Sequence, residues 1–474
     1  MNSELLLNVT PYETRVAVIE NETLRELYLE RAATRPIVGN IYVGQVARVV
    51  PGMQAAFIDL GIERAGFLHV KDLKKAREAN EIPHISDVLH AGEKIIVQVT
   101  KEPVGTKGAR LSGQITLATR DLVYLPGQSS VNVSQRIEDP LEKERLRNIL
   151  DGLLNAQGTD GGVIVRTMAQ GASEEALAGE LVLLTEIWRK SLELKSISRT
   201  PTCIYEDLPL YLRVLRDLAG NGVKRIHIDS NEAFESAVSF VGDMAPELKD
   251  KLELYRGEHP LFERYSVENE IESAMHRQVS LACGGNLIIE PTEAMTVIDV
   301  NSGTNTGKRN LEETAFATNL EAASAIAQQL RLRNIAGIVI IDFIDMVNDA
   351  HKQQVMQVLG REMMGDKTKT VITEMSPLGL VELTRKRTRD SLSHLMRQSC
   401  PACNGRGTVK STQTVCYQIF REIVREFRHY PANEYTIKAS NDVIECLLDD
   451  EAKAFGDLQK FIDRPVQLRV DADG

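Results

Sequence analysis

The chain has no apolar run long enough to cross a bilayer. Its longest, such as Ile338–Ile341, fall far short of the roughly 20 residues that a spanning helix needs. The leading Leu5-Leu6-Leu7 run has no basic flank and no cleavage-site pattern, so a secretory signal is not expected. These absences point to a cytoplasmic protein with no membrane partner. Cysteine is sparse: Cys203, Cys283, Cys400, Cys403, Cys416 and Cys446 are spaced for neither a disulfide framework nor an extracellular setting. Positive charge is short too. The net charge of −11 argues against wholesale wrapping of nucleic acid, though not against local basic patches. A nucleotide-hydrolysis loop is missing. Gly303–Lys308 (GTNTGK) comes near one, but its second glycine arrives one residue early and Arg309 stands where a metal-holding Ser or Thr is required.

What is there suffices for three or four structural units of about 100–200 residues each. The stretch Glu293–Met346 stands at their centre. Met295-Thr296-Val297-Ile298 runs into Asp299 and Asn301, and Ile338-Val339-Ile340-Ile341 runs into Asp342 and Asp345. Short apolar runs bounded by turn signals read as buried strands. Between them, Ala315-Phe316, Leu320, Ala323, Ile326-Ala327 and Leu330 carry helical spacing. A strand–helix–strand unit would set Asp299 and Asp342 side by side at neighbouring strand ends. Alternation along a strand puts Asp299 and Asn301 on one face, and Asp342 and Asp345 on opposite faces. Paired carboxylates beside a carboxamide suit a hard cation such as Mg²⁺, which takes one or two carboxylates and draws its other ligands from water and phosphate. Helix caps and turn residues would leave the same pattern.

Residues 1–35 read as a three-strand meander. Residues 36–118 change to short β runs punctuated by glycine, including Gly105, which suggests a small barrel of the OB type. Phe57 and Phe67 fall in adjacent strands there, with Lys101, Lys107 and Arg110 close behind. Aromatic faces for stacking bases beside cations for phosphates are the parts of a single-strand site, although two phenylalanines can equally fill a barrel. The loop 71–91, with Lys74, Lys75 and Arg77, reads as a polar excursion. In 119–204, helical segments at 142–154 and 173–194 flank Gly161–Thr167, whose closing Arg166-Thr167 offers a guanidinium fork and a hydroxyl for a terminal phosphate, or simply a surface arginine. Residues 205–275 alternate helix (211–218), strand (224–229) and helix (232–252) and read as scaffold. The second basic cluster, Arg385-Lys386-Arg387 with Arg389, reads by default as a solvated face.

CPACNGRG, from Cys400, is a zinc-knuckle half-site. Four ligands are needed, no second pair exists, and His394 is the only nearby histidine; two identical chains could complete a site of four thiolates by pairing their knuckles. A redox disulfide is the alternative; the thioredoxin-like βαβ context it requires is not evident in the sequence. Residues 410–474 read as a small α/β unit, with a helix over 414–428 and strands near 435–438 and 466–470.

GNIYVGQVARVVPGMQAAFIDLG resembles the RNA-binding module of the ribosomal-protein S1 type, whose matching aromatics sit on an open face. IDVNSGTNTGKRNLEETAFATNLEAA, LRLRNIAGIVIIDFIDM, LGLVELTRKRTR and CPACNGRGTVK, in that order and with the barrel before them, resemble the ribonuclease E/G family over essentially the whole chain. The resemblance implies an α/β multidomain architecture. It comprises an RNase H-like subdomain from 1–35 and 205–275, an S1-type OB-fold barrel at 36–118, a 5′-sensor subdomain at 119–204, a DNase I-like catalytic subdomain at 276–399, a zinc link at 400–409 and a small C-terminal domain at 410–474. It implies Asp299 and Asp342 as magnesium ligands with Asn301 beside them, and leaves Asp345 outside the ligand set. It also implies Phe57, Phe67 and Lys107 as the RNA clamp, Arg166 and Thr167 as a sensor of a 5′-monophosphate, and Cys400 and Cys403 as a zinc site joining a homodimer. The implied activity is Mg²⁺-dependent endonucleolytic hydrolysis of single-stranded, A/U-rich RNA, leaving a 5′-phosphate, in ribosomal RNA processing and messenger decay. A non-catalytic RNA-binding scaffold built on the barrel is the rival reading.

Overall fold

Leu5, Leu6 and Leu7 are all fully buried, because the strand they form is covered on both faces. In the computed structural model, which describes residues 3–73, 83–103, 107–158, 160–197, 201–219, 222–304, 311–403, 405–430 and 432–471, that strand is β1 (Ser3–Val9). Gly105, Lys74, Lys75 and Arg77, and all of the GTNTGK segment beyond Thr304, lie outside the described residues. The chain divides into two compact units, Met1–Leu395 and Met396–Gly474.

In the first unit, β1 pairs antiparallel with β2 (Glu13–Glu20), and β2 with β3 (Thr23–Arg31). Leu5, Leu7, Val16 and Val18 face the helices Leu210–Leu218 and Asn231–Met244, while Leu6, Ala17 and Ile19 pack on Phe262, Ile271 and Leu332.

The barrel follows. Its strands are β4 (Ile41–Val50), β5 (Ala55–Asp59), β6 (Gly66–His69), β7 (Lys94–Lys101) and β8 (Arg110–Ser112), and it closes because β4 pairs with both β5 and β7. Closure draws Gly44 against β5, where a Cβ would fall 2.4 Å from Ile58 Cγ2, so only glycine fits.

A four-stranded sheet comes next: β9 (Leu117–Ala118), β10 (Leu122–Pro126), β11 (Val131–Val133) and β12 (Gly161–Val165). The helices Pro140–Gln157 and Glu174–Ile197 pack on it, burying Leu146, Leu150, Leu177 and Leu181. Asp139 caps the first of these, accepting from Leu141 N, and Pro140 sits at the first helical position. The strand β13 (Thr202–Tyr205), which falls within the expected 119–204 unit, instead pairs with β4 of the barrel.

The chain then returns to the first sheet through β14 (Val223–Ile228), parallel to β1. The expected helix over 232–252 is shorter than the sequence reading. It stops at Met244, Pro246 begins a 3₁₀ turn, and β15 (Leu252–Leu254) adds a further parallel strand.

The last sheet of this unit runs β16 (Gln278–Ser280), β17 (Asn286–Pro291), β18 (Met295–Asn301), β19 (Gly337–Asp342), β21 (Leu380–Arg385), β20 (Thr370–Ile372). Only β18 and β19 are parallel, and the helix Leu311–Leu332 joins them. Ile298, Val300, Val339 and Ile341 bury against Ala322, Ala323, Ile326 and Leu330 of this helix. Each such side chain is worth about 1.5–3 kcal/mol when fully buried. On its other flank, Arg331 forms ion pairs with Glu20 and Glu26, tying the helix to β2 and β3. Among the described residues no helix is long and apolar enough to cross a membrane.

The second unit holds the helix Thr412–His429, the helices Asn441–Leu448 and Ala452–Ile462, and the parallel pair β22 (Tyr435–Ala439) and β23 (Val466–Val470).

Candidate functional site

The parallel register of β18 and β19 sets Asp299 directly opposite Asp342. Thr296, Ile298 and Val300 are buried on the helix side, so Val297, Asp299 and Asn301 occupy the opposite, half-exposed face. Ile338, Ile340 and Asp342 share that face on β19. Asn301 Nδ2 donates to Asp299 Oδ2 at 2.8 Å and so fixes the carboxylate's rotation. The Asp342 carboxyl is held above the usual range, first by desolvation and then by the negative charges of Asp299 and Asp345. No described lysine, arginine or histidine forms an ion pair with any of the three. Like charges collected without a counter-charge, and all on oxygen donors, fit a hard divalent cation. Among the described residues no group of three or more His, Cys, Asp or Glu is disposed to hold a metal.

The alternation that would put Asp345 on the face opposite Asp342 does not reach that residue. β19 ends at Asp342, so strand alternation does not extend to Asp345, whose charge acts on Asp342. The loop between them is held by the long helix. Asn319, fully buried, donates from Nδ2 to Ile344 O at 2.8 Å and accepts from Ile344 N at 3.1 Å. Glu312 accepts from Val347 N and Asn348 N and pairs with His351, whose ring stacks on Phe316.

On the barrel, Ala56, Ile58, Gly66 and Leu68 face inward, so Phe57 and Phe67 stand outside, paired across β5 and β6. Their rings meet edge to face with centroids 5.9 Å apart. They do not fill the barrel. The register extends the row: Arg48 lies opposite Phe57 and Arg110 opposite Phe67, with Lys101 beyond, and all three cations are exposed. Lys107 is exposed at a bridge preceding β8. Sequence reading missed Arg48, because the β4 register shifts between Val46 and Arg48 and breaks the alternation that would have assigned its face.

Arg166 directly follows β12 and is not a free surface arginine. Nη1 donates to Thr119 O at 2.6 Å and Nη2 to Asp217 Oδ1 at 2.7 Å. The Thr167 hydroxyl is exposed and lies 3.3 Å from Ser134 Oγ. Arg136, two residues beyond Ser134, donates to Lys367 O. Ser134 and Arg136 carry no motif; only the pairing of β11 with β12 brings them near Thr167. Behind this pocket, Glu180 accepts from the Thr119 hydroxyl and from the amides of Asp121 and Leu122, and burial pushes its carboxyl up to about 7.

The Arg385-Lys386-Arg387 cluster is not wholly a solvated basic face, as its residue types suggested. Arg385 is buried, bonded to Asp366, Asn334 and Ile335 O, and Arg389 lies over the Tyr28 ring at 3.8 Å. In the second unit, Cys403 Sγ accepts from Gly407 N at 3.4 Å. Cys400 is exposed, and the amides of Cys403 and Ala402 hold its thiol below the ordinary range. Amide donors aimed at sulfur favour thiolates, the form that binds zinc.

Three family models match the chain: "Ribonuclease E/G family" over residues 116–388, "S1 RNA binding domain" over 35–113, and "RNase E/G, Thioredoxin-like domain" over 399–473. The chain belongs to the ribonuclease E/G family. It is 47% identical to ribonuclease G of Salmonella typhimurium (strain SL1344) over 479 residues, covering 99% of this chain and 97% of that protein. Ribonuclease G of Haemophilus influenzae is also 47% identical, over 99% and 96%. Ribonuclease E of the same organism is 35% identical over 96% of this chain, but only 49% of its own length.

The family's thioredoxin-like match corrects the expectation that such a context is missing near Cys400. It lies in the β–α–α–β arrangement of β22 and β23, whose short strands and intervening helices give little periodic signal. The Cys400–Cys403 turn nevertheless precedes the helix Thr412–His429 rather than capping it, so neither thiol gains the helix N-terminus that redox Cys-x-x-Cys motifs exploit.

Proposed function

We propose that this chain is a metal-dependent endoribonuclease that cuts single-stranded RNA hydrolytically, leaving a 5′-phosphate and a 3′-hydroxyl. The reading rests chiefly on one observation, the in-register pairing of Asp299 with Asp342 on an open sheet face. These two would hold Mg²⁺, which when bound supplies Lewis acidity toward a phosphodiester and makes water more acidic. Asn301 orients the Asp299 carboxylate. Phe57 and Phe67 stack unpaired bases, and Arg48, Lys107 and Arg110 take backbone phosphates. The Thr167 hydroxyl and Arg166 receive a 5′-monophosphate. A tethered end then presents its cleavage site at raised local concentration. On this reading the β18–β19 sheet is the DNase I-like part and the β1–β15 sheet the RNase H-like part. Preference for A/U-rich sites and work on ribosomal RNA precursors and messenger RNA follow from the family likeness. Cys400 and Cys403 supply half of a zinc site, completed by the same residues of a second copy.

The test is to map cut ends on one oligoribonucleotide carrying either a 5′-monophosphate or a 5′-hydroxyl, with and without Mg²⁺. Cleavage should require Mg²⁺ and yield 5′-phosphate ends, and Thr167→Val should slow the monophosphorylated substrate alone. Binding without cleavage would favour the scaffold reading. Equal slowing of both substrates would remove the sensor.

A further inference from the structure

A cleft of about 340 Å³ opens between β3, the helix Leu210–Leu218 and the segments 366–368 and 385–389, next to the Arg166 pocket. Its carboxylates are already engaged. Asp366 pairs with Arg385, Asp217 with Arg166 and Arg216, and Glu26 with Arg331 and the Tyr28 hydroxyl. Two of its cations are not matched in this way. Lys367 Nζ donates to the Asp217 carbonyl at 3.3 Å, and Arg389 donates to the Leu27 carbonyl while lying over Tyr28. Neither forms an ion pair with a described carboxylate. Burial presses both below their ordinary range, and the charges of Glu26 and Asp217 near Lys367, and of Tyr28, Glu26 and Asp366 near Arg389, oppose this only in part. The helix side of the cleft is an apolar wall, Val214 and Leu218, and the Thr388 side chain joins the lining.

An ammonium and a guanidinium group without a direct ion pair, beside a hydroxyl, suit a phosphate, and an apolar wall suits a flat body attached to it. The volume lies at the small end of ligand sites. We propose that this cleft binds a free nucleoside monophosphate, its phosphate at Lys367 and Arg389 and its base against Val214 and Leu218. Neither Arg166 nor Thr167 lines the cleft, although Asp217, the partner of Arg166, does; the site adjoins the 5′ pocket without sharing its two phosphate-binding residues, and its occupancy does not depend on the nuclease reading.

Adenosine 5′-monophosphate, adenosine and inorganic phosphate are titrated calorimetrically into the full chain and into Lys367→Met, Thr388→Val and Thr167→Val. The nucleotide should bind, and Lys367→Met, with an unchanged circular dichroism spectrum, should weaken it at least about tenfold. Thr388→Val should weaken it less, Thr167→Val should leave a site of full affinity, and adenosine should give no heat. Four results would each overturn the proposal: no nucleotide binding; loss of binding in Thr167→Val but not in Lys367→Met, which places the nucleotide in the 5′ pocket; displacement by a 5′-hydroxyl oligoribonucleotide, which makes the anion an RNA backbone phosphate; or inorganic phosphate binding as tightly as the nucleotide.

Discussion

Asp299 and Asp342 are register partners on adjacent parallel strands, and Asn301, two residues along, holds the first of them in place. Two like charges this close make it harder to ionise both, a cost that a bound cation would offset. Asp299→Asn and Asp342→Asn should each cut cleavage on the order of 10²–10³-fold or more. Melting temperature should stay level or rise, since a like-charge contact is lost. Asn301→Ala, which frees the carboxylate's rotation, should cost about 10–100-fold. Single-turnover cleavage beside a melting curve checks all three; an Asp342→Asn protein that cuts at the wild-type rate would show that the acids are structural.

Phe57 and Phe67 should act as a pair. Each offers a face to an unpaired base at about 1–3 kcal/mol, and their edge-to-face contact steadies both rings. Phe57→Ala and Phe67→Ala, measured by anisotropy of a labelled oligoribonucleotide in the Asp342→Asn background, should each weaken binding roughly tenfold or more. The double variant should lose less than the sum, because each ring supports the other. Unchanged affinity in both would remove the barrel face from RNA binding.

Much of this was legible beforehand, for identifiable reasons. The β18–helix–β19 unit shows in sequence because its strands are continuous apolar runs and its helix keeps a 3.6-residue period. Arg48, Ser134, Arg136 and Asn319 were not legible, since each acquires its role from register or from a partner far along the chain. Asp345 was out of reach of strand alternation, because β19 stops at Asp342. Arg385 was misread as surface because a buried ion pair and an exposed basic face share one residue type.

The zinc link makes an oligomer-state prediction. A tetrahedral site needs four ligands, and the Cys400–Cys403 turn supplies two thiols. Full-length protein should therefore carry one zinc per two chains and sediment as at least a dimer. Cys400→Ser should lose the metal and shift the population toward monomer. One zinc per chain, or a dimer indifferent to strong chelation, would refute a shared site.

Glu180 predicts a pH dependence local to the sheet behind Arg166. Its folded carboxyl stands at about 7, raised by burial from an ordinary value of 4.5. A raised value means that the folded state binds the proton more tightly. Its stabilising contribution is thus complete below about pH 4 and fades as pH rises through about 7, a swing on the order of 3 kcal/mol. Hydrogen exchange in β10 and β12 should quicken from pH 5 to pH 8 beyond the intrinsic rate increase. Glu180→Gln, neutral throughout, should abolish that excess. An excess that persists in the variant would assign the effect to another group, Asp121 being the nearest.

Asn319 is a positioning residue whose two hydrogen bonds to Ile344 hold the loop between Asp342 and Asp345. It is fully buried, and a leucine there would fill the space while leaving the Ile344 amide and carbonyl without partners. An unpaired buried group costs about 1–3 kcal/mol, and Ile344 is half-buried, so Asn319→Leu should lower stability by about 1–3 kcal/mol in all. The informative readout is kinetic. RNA affinity depends on the barrel and should hold, so KM should change little, while kcat should fall because the loop next to the carboxylates is released. Asn319→Asp keeps an acceptor for Ile344 N but places a charge in a buried setting, and should be worse folded than Asn319→Leu. If Asn319→Leu instead raised KM and left kcat alone, the loop would belong to substrate binding rather than to the geometry of the acids.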